Sequence, residues 1–419
     1  MAPQHLDAPR LREDLEIIPA MHGGEKAFLV RDRLGLIENS VLVRSEALFL
    51  LGLLDGRHGA EDIQAELIRR GGGVFVSRET IEKFIAELDA NYVLDSARFR
   101  RARSKLIGEY ARLAVRAPHF GGESYPREKP DLEAHLDVLL SASPSRRPEC
   151  DPAAICGLAA PHIEIESGKL VYSKAYNALR GLSPDRVILL GTGHSLSDAF
   201  FSVTGKDFET PLGRVRTDGD AVARLRKEGG KAVCASDIAH RREHSLEFQL
   251  IFLQHLFGSG FSLVPVLCGS FAGLMSGASK PMDVAALAGF LGVLRGLASE
   301  GGLSVLCVAG IDFSHIGPKF GHRDEARALR AEASRHDAAL IDAACRGDVE
   351  GLWRESKRVG DRFNVCGFSA LACLLEILTP VEGIPLGHEF WYEEPTRSAV
   401  SFAAILFKHP ASRAGIVPV

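Results

Sequence analysis

The chain of 419 residues is 46% hydrophobic and 25% charged, a globular balance that excludes the disordered, collagenous and fibrous classes. Its 50 Lys and Arg against 54 Asp and Glu leave a formal charge of −4, so no net basic field draws it to nucleic acid or to anionic lipid. At roughly 100–200 residues per domain the length predicts two or three domains, and apolar runs such as Val284–Leu294 fall short of the ~18 residues of a membrane span.

In chain order, Met1–Arg12 mixes charges with prolines and lacks the apolar core of a secretory leader. Ala27–Val30 and Leu34–Ile37 are short apolar runs that predict a hairpin turning at Arg31–Arg33. Three amphipathic stretches follow. Ser45–Leu54 stops at Asp55-Gly56, and Glu61–Arg70 stops at Gly71–Gly73. Arg78–Asp89 follows Ser77, a predicted N-cap. Within it Ile81, Phe84, Ile85 and Leu88 share one helical face. A hairpin and three helices predict a small winged-helix-like α+β recognition module over residues 1–104, with no catalytic cluster in it. The Arg-rich segment Ala97–Arg116 reads as a connecting helix; residues 105–150 lead into the next domain, and Ser141–Pro152 reads as a loop.

From Ala154 onward the pattern changes. Ile155–Ala160, Arg186–Gly191, Ser262–Cys268 and Leu303–Ile311 are strand-like apolar runs. They alternate with helical stretches at Val171–Leu182, Ala221–Glu228, Ser245–Phe257 and Asp283–Ser299. Further helices at Glu325–Cys345 and Gly367–Leu378 precede strands at Glu389–Tyr392 and Ala399–Phe407. This alternation predicts an α/β/α layered domain over residues 151–410 with a central, largely parallel or mixed sheet. The 8 cysteines include no CxxC pair, and Cys268 and Cys307 lie inside strand-like runs. Reduced, buried thiols of a cytoplasmic protein are expected.

The chemistry gathers where strands end. Ligands of open α/β sheets bind beyond the carboxyl ends of the strands, and three of the four runs lead there into a histidine: His162, His194 and, after Asp312-Phe313-Ser314, His315. Imidazole is both the commonest metal ligand and a general acid/base near neutral pH. A fourth group is His240-Arg-Arg-Glu-His244-Ser-Leu-Glu247. His240 and His244 match the inverted zincin spacing, which requires both on one formed helix. The helical stripe begins only near Ser245, so His244 and Glu247, at the helix start, are the useful pair. Gly191-Thr-Gly193-His-Ser-Leu196 is a poor dinucleotide loop, because Leu196 stands where a small residue should let helix and strand pack closely. Cys366 precedes Gly367 at the start of an apolar helix, a position that favours the thiolate a metal needs.

These positions together resemble the Memo family, also called AmmeMemoRadiSam system protein B, over about His119–Lys408. The motifs are Ala160-Pro161-His162, Leu190-Gly-Thr-Gly-His194, Glu243-His-Ser-Leu-Glu247, Val264-Pro-Val-Leu267, Asp312-Phe-Ser-His315, Val365-Cys-Gly367 and Val400-Ser-Phe-Ala-Ala404, in family order. His119-Phe-Gly-Gly-Glu-Ser-Tyr125 resembles the family's opening segment. The N-terminal module resembles the PqqD-like peptide-recognition fold. The resemblance implies a domain related to class III extradiol dioxygenases, non-haem iron enzymes. It also implies a metal held by His162, His194 and Cys366, with His244, Glu247, Asp312 and His315 lining the cleft as acid/base or supporting groups. Radical SAM and AMMECR-type proteins are its implied partners, with a peptide for residues 1–104.

Two imidazoles and one anion hold a divalent metal while leaving positions open, and a thiolate moves preference toward copper or zinc relative to a carboxylate. A redox enzyme using Fe(II) or copper is therefore the first expectation. A non-catalytic peptide- or protein-binding module and a zinc hydrolase are the alternatives.

Overall fold

The computed structural model describes residues 8–23, 25–37, 41–70, 76–143 and 148–410. The expected glycine stop at 71–73 and the middle of the 141–152 loop lie outside them. The chain forms two compact units, Met1–Arg112 and Leu113–Val419.

In the first unit β1 (Leu15–His22), β2 (Glu25–Asp32) and β3 (Val41–Arg44) make an antiparallel sheet in that order. Four helices follow: α1 (Ser45–Leu53), α2 (Ala60–Arg70), α3 (Arg78–Ala90) and α4 (Ala97–Ala111). Ser77 caps α3 by accepting from the Thr80 N–H, and Ser96 caps α4 by accepting from Phe99. Leu51, Leu54, Ile63, Ile81, Ile85 and Leu94 form the small core.

The hairpin expected at Arg31–Arg33 does not form. Instead β2 pairs with β1 on one side and β3 on the other. The cause is Asp32: its carboxylate accepts from the N–H groups of Leu34, Leu36 and Ile37 at 3.0, 2.7 and 2.9 Å. Those residues are thereby folded into an Asx-type loop and kept off a ladder. The true partner, β1, carries Pro19, which demotes a run by pattern but is tolerated on the edge strand that β1 is.

The second unit is built on an eight-stranded mixed sheet. In chain order its elements are β4 (Val115–Arg116), α5 (Lys129–Ser141), β5 (Ile155–Ala160), α6 (Lys169–Asn177), β6 (Arg186–Thr192), β7 (Phe201–Val203), β8 (Asp207–Thr210), β9 (Gly213–Val215) and α7 (Gly219–Gly229). Then come α8 (His244–Phe257), β10 (Ser262–Cys268), α9 (Ala285–Ala298), β11 (Val305–Gly310), β12 (His315–Ile316), α10 (Ala326–Cys345), α11 (Val349–Val359), α12 (Phe368–Leu378), β13 (Glu382–Glu393) and β14 (Ser398–Lys408).

The strand order is β12-β14-β5-β11-β6-β10-β7, with β13 also on β14. The central four, β5, β11, β6 and β10, are parallel, and the flanking pairs are antiparallel. Strands β4, β8 and β9 form a separate small sheet.

The central strands are apolar throughout because helices cover both faces. Leu158, Val187 and Leu189 pack with α5, α6 and α8; Ala159, Ile188 and Leu190 pack with α7, α9 and α12. Glycines let the helix starts approach the strand ends. A Cβ on Gly310 would lie 2.3 Å from the Ser245 carbonyl oxygen at the head of α8, and one on Gly367 would lie 2.4 Å from Ile311. The amino ends of α8 and α12 therefore meet the same strand ends from opposite faces. No helix among the described residues is long and apolar enough to cross a membrane.

Candidate metal centre

The parallel strands β5, β6 and β11 stop side by side, and the residues just beyond them converge. Candidate ligand atoms of His162, His194 and His244 lie within 4.8 Å of one another. The imidazole centroids are 5.0 Å apart for His162–His194, 5.2 Å for His162–His244 and 4.8 Å for His194–His244. Cys366 Sγ, arriving from the other face ahead of α12, is 3.3 Å from His162 Nε2. His162, His194 and Cys366 thus meet, and His244 joins them as a third imidazole.

Each ring is held by its far nitrogen. His162 Nδ1 is 2.9 Å from the Gly310 carbonyl oxygen, to which it donates. Glu243 serves the other two rings: its carboxylate lies 3.0 Å from His194 Nδ1 and 3.3 Å from His244 Nδ1. It also accepts the N–H groups of His194 at 3.1 Å and of Ser245 at 3.0 Å, the latter closing the first turn of α8. With Nδ1 so engaged, Nε2 is the nitrogen left for a metal. A carboxylate behind a ligating imidazole fixes its orientation and raises its basicity. Burial raises the cost of the Glu243 charge, but His194 and His244 overcome it and hold the carboxyl well below its ordinary range.

The sulfur is biased toward thiolate. Burial opposes ionisation of Cys366, yet the His162 and His315 imidazoles, with hydrogen bonds from His162 and His194, pull its pKa well below the usual thiol value. Burial alone would lower His162; Asp312 and the thiolate outweigh it and hold the ring up at about 10. His315 donates from Nδ1 to the Phe313 carbonyl at 2.9 Å. Cys366 and Asp312 raise its pKa against burial.

The remaining expected residues have different tasks. Asp312 accepts from the backbone N–H of His162 at 3.0 Å and of Ile163 at 3.2 Å, and its second oxygen is 3.6 Å from His162 Nε2. It steadies the loop after β5, while Glu243 is the carboxylate behind the His194 and His244 rings. Glu247 is fully buried and holds the opening segment of the unit: it pairs with Arg116, and it accepts from the N–H groups of His119 and Phe120 and from the Tyr125 hydroxyl. That segment in turn walls the site, with the Phe120 ring edge-on to His244 at 5.8 Å. His240 sits in a separate short turn, and both its ring nitrogens lack a hydrogen-bond partner among the described residues. The zincin spacing therefore has no helix beneath it.

Glu243 was the functional residue sequence reasoning passed over. It stands inside a histidine-spaced motif, where it reads as a spacer; its signal was the helix cap position directly before His244. Phe120 lies in the 119–125 opening segment, whose family likeness marks the segment but not the contact of the ring with His244.

The donor set fits a metal ion. Three oriented imidazoles and a thiolate-biased sulfur match the ligand chemistry of copper, iron or zinc.

The sequence profile described as Memo-like protein matches residues 116–406. A MEMO1 family protein of Aquifex aeolicus is 28% identical over 389 residues, covering 92% of this chain and 96% of that protein. One from Thermus thermophilus is 28% identical over 348 residues, covering 83% and 98%. One from Methanosarcina acetivorans is 28% identical over 265 residues, 63% of this chain and 86% of that protein. The bacterial likeness therefore runs beyond the profile into the first unit, while the archaeal one is about the length of the second. Since the profile takes in every strand end and helix start that builds the histidine–cysteine cluster, the chain belongs to the Memo family.

Proposed function

We propose that the second unit is a metal-dependent redox enzyme, dioxygenase-like, using Fe(II) or copper on His162, His194 and His244 with Cys366 as the soft anionic donor. The observation that supports it is the meeting of three imidazoles with a sulfur 3.3 Å from one of them. Such an ion supplies electron transfer and Lewis acidity when bound.

The chain's own groups do the rest. Glu243 and the Gly310 carbonyl hold the rings with Nε2 inward, so little reorganisation is needed on binding. Phe120 covers part of His244. His315, whose pKa Cys366 and Asp312 raise against burial, is placed beside them as the proton-transfer group.

The test is metal quantification after anaerobic purification, with oxygen uptake measured on iron, copper and zinc forms. The proposal expects bound metal, lost in the His162→Ala/His194→Ala double variant, and oxygen uptake only with iron or copper. Full occupancy in the double variant would overturn it.

A zinc hydrolase is the second reading, favoured by the third imidazole, since three histidines with an open position are a zinc arrangement that brings bound water to a pKa near ~7. Hydrolysis by the zinc form without oxygen uptake would decide for it. Radical SAM and AMMECR-type partners, and a peptide for residues 1–104, belong to the same proposal. Recovery of partners with and without residues 1–104 tests them, and equal recovery would count against a role for the first unit.

A further inference from the structure

Beside the histidine–cysteine cluster lies a cavity of about 310 Å³, bounded at one end by His194 and Cys366. Its walls combine the apolar side chains of Leu196, Phe271, Met275, Val365 and Phe368 with an equal share of polar surface. Among the described residues no Lys or Arg lines it.

Most polar groups on the wall are already engaged. Ser369 Oγ accepts from the Phe271 N–H at 3.0 Å, and Ser270 Oγ accepts from Ala272 at 3.2 Å. The Asn364 amide donates to the His315 and Phe320 carbonyls, each at 3.2 Å. Asp361 is the acidic side chain on that wall, and it is little engaged. Its carboxylate accepts a single long bond, 3.3 Å from the Val365 N–H, and has no ion-pair partner among the described residues. Burial pushes its carboxyl above the ordinary range, with Cys366 adding to the rise and the His336 and His315 imidazoles opposing it.

We propose that this cavity takes the apolar body of a small primary amine, with the ammonium held by Asp361 and the carbon next to it directed toward His194 and Cys366. Three donors of an ammonium suit one carboxylate with open lone pairs, and the apolar side chains along part of the chamber suit a compact hydrocarbon body. The metal-dependent redox reading supplies the reaction centre, and this inference rests on it for the site's role but not for the binding event.

The test therefore uses binding to the full-length, metal-free protein, by calorimetric titration with benzylamine, benzyl alcohol and benzoate. Benzylamine is expected to bind at least about tenfold more tightly than the alcohol, with benzoate weakest. Asp361 occupies a left-handed backbone conformation, φ 55°, which Asn also tolerates. Asp361→Asn is thus expected to keep the fold and to bring the amine down to the level of the alcohol. A second variant, Met275→Trp, fills the chamber and is expected to abolish binding of both. Equal binding of amine and alcohol, or an unchanged preference in Asp361→Asn, would overturn the proposal. Metal content of the same preparations separates the two ideas: amine preference in a protein that takes up no metal removes only the redox reading, and metal uptake without amine preference removes only this one.

Discussion

At the scale of single residues, one carboxylate organises two ligands. Glu243 holds His194 and His244 through Nδ1 and caps α8 in the same stroke. Glu243→Gln keeps the shape and removes the charge, so metal affinity is expected to fall by about 10–100-fold while the melting temperature moves little. Glu243→Ala also loses the cap, worth about 1 kcal/mol. Metal titration alongside thermal unfolding separates the two effects, and equal affinity in Glu243→Gln would refute the orienting role. The proton balance gives a second expectation. In the metal-free protein His162 is raised to about 10, so at pH 7 it carries a proton that a metal must displace, while the depressed Cys366 thiol gives up its proton more readily than an ordinary one. Binding therefore releases protons, and affinity climbs with pH from neutrality toward 10. Calorimetry in buffers of different ionisation enthalpy measures this; no proton release between pH 7 and 9 would contradict it. His162, His194 and Cys366 were legible because strand ends and the family motifs mark them. Glu243 was not, because nothing in a sequence says that one spacer residue faces two rings.

At the scale of elements, the site depends on two helix starts reaching the ends of one sheet. Gly310 has no room for a side chain below the Ser245 carbonyl, so Gly310→Ala must push α8 away. A loss of at least ~1–3 kcal/mol is expected, together with weaker metal binding because His244 moves with the helix. Normal affinity in a destabilised Gly310→Ala protein would show that His244 is not needed. Glu247 poses the opposite case. Its partners are Arg116 and the segment through Tyr125, so Glu247→Ala leaves a buried guanidinium without its partner and costs about 3–5 kcal/mol. Chemical denaturation checks this; unchanged stability with altered chemistry would return Glu247 to an acid/base role. The central strands, with α8, α10 and α12, were readable from apolar runs bounded by turns, Ile155–Ala160 and Ser262–Cys268 to the residue. The 31–33 hairpin failed because the Asp32 side chain, invisible to alternation rules, captures three backbone N–H groups. Strands as short as Phe201–Val203 and Gly213–Val215 carry too few residues to show a period.

At the scale of the whole molecule, the histidine–cysteine cluster lies in one unit. Every residue of the cluster lies within Leu113–Val419, and the Methanosarcina acetivorans relative aligns over 63% of this chain with 86% of its own length. Residues 113–419 alone are therefore expected to fold cooperatively and to bind metal with the stoichiometry of the full chain, as read by thermal unfolding and metal analysis. The central claim is that imidazoles from β5, β6 and α8 and a sulfur from the head of α12 form one coordination sphere. Cobalt(II) titration of the anaerobic full-length protein, followed by electronic absorption, tests it most directly. A single saturating equivalent is predicted, with a thiolate charge-transfer band that disappears in Cys366→Ser and binding that is lost in His162→Ala. No saturable binding, or spectra indifferent to both substitutions, would contradict it.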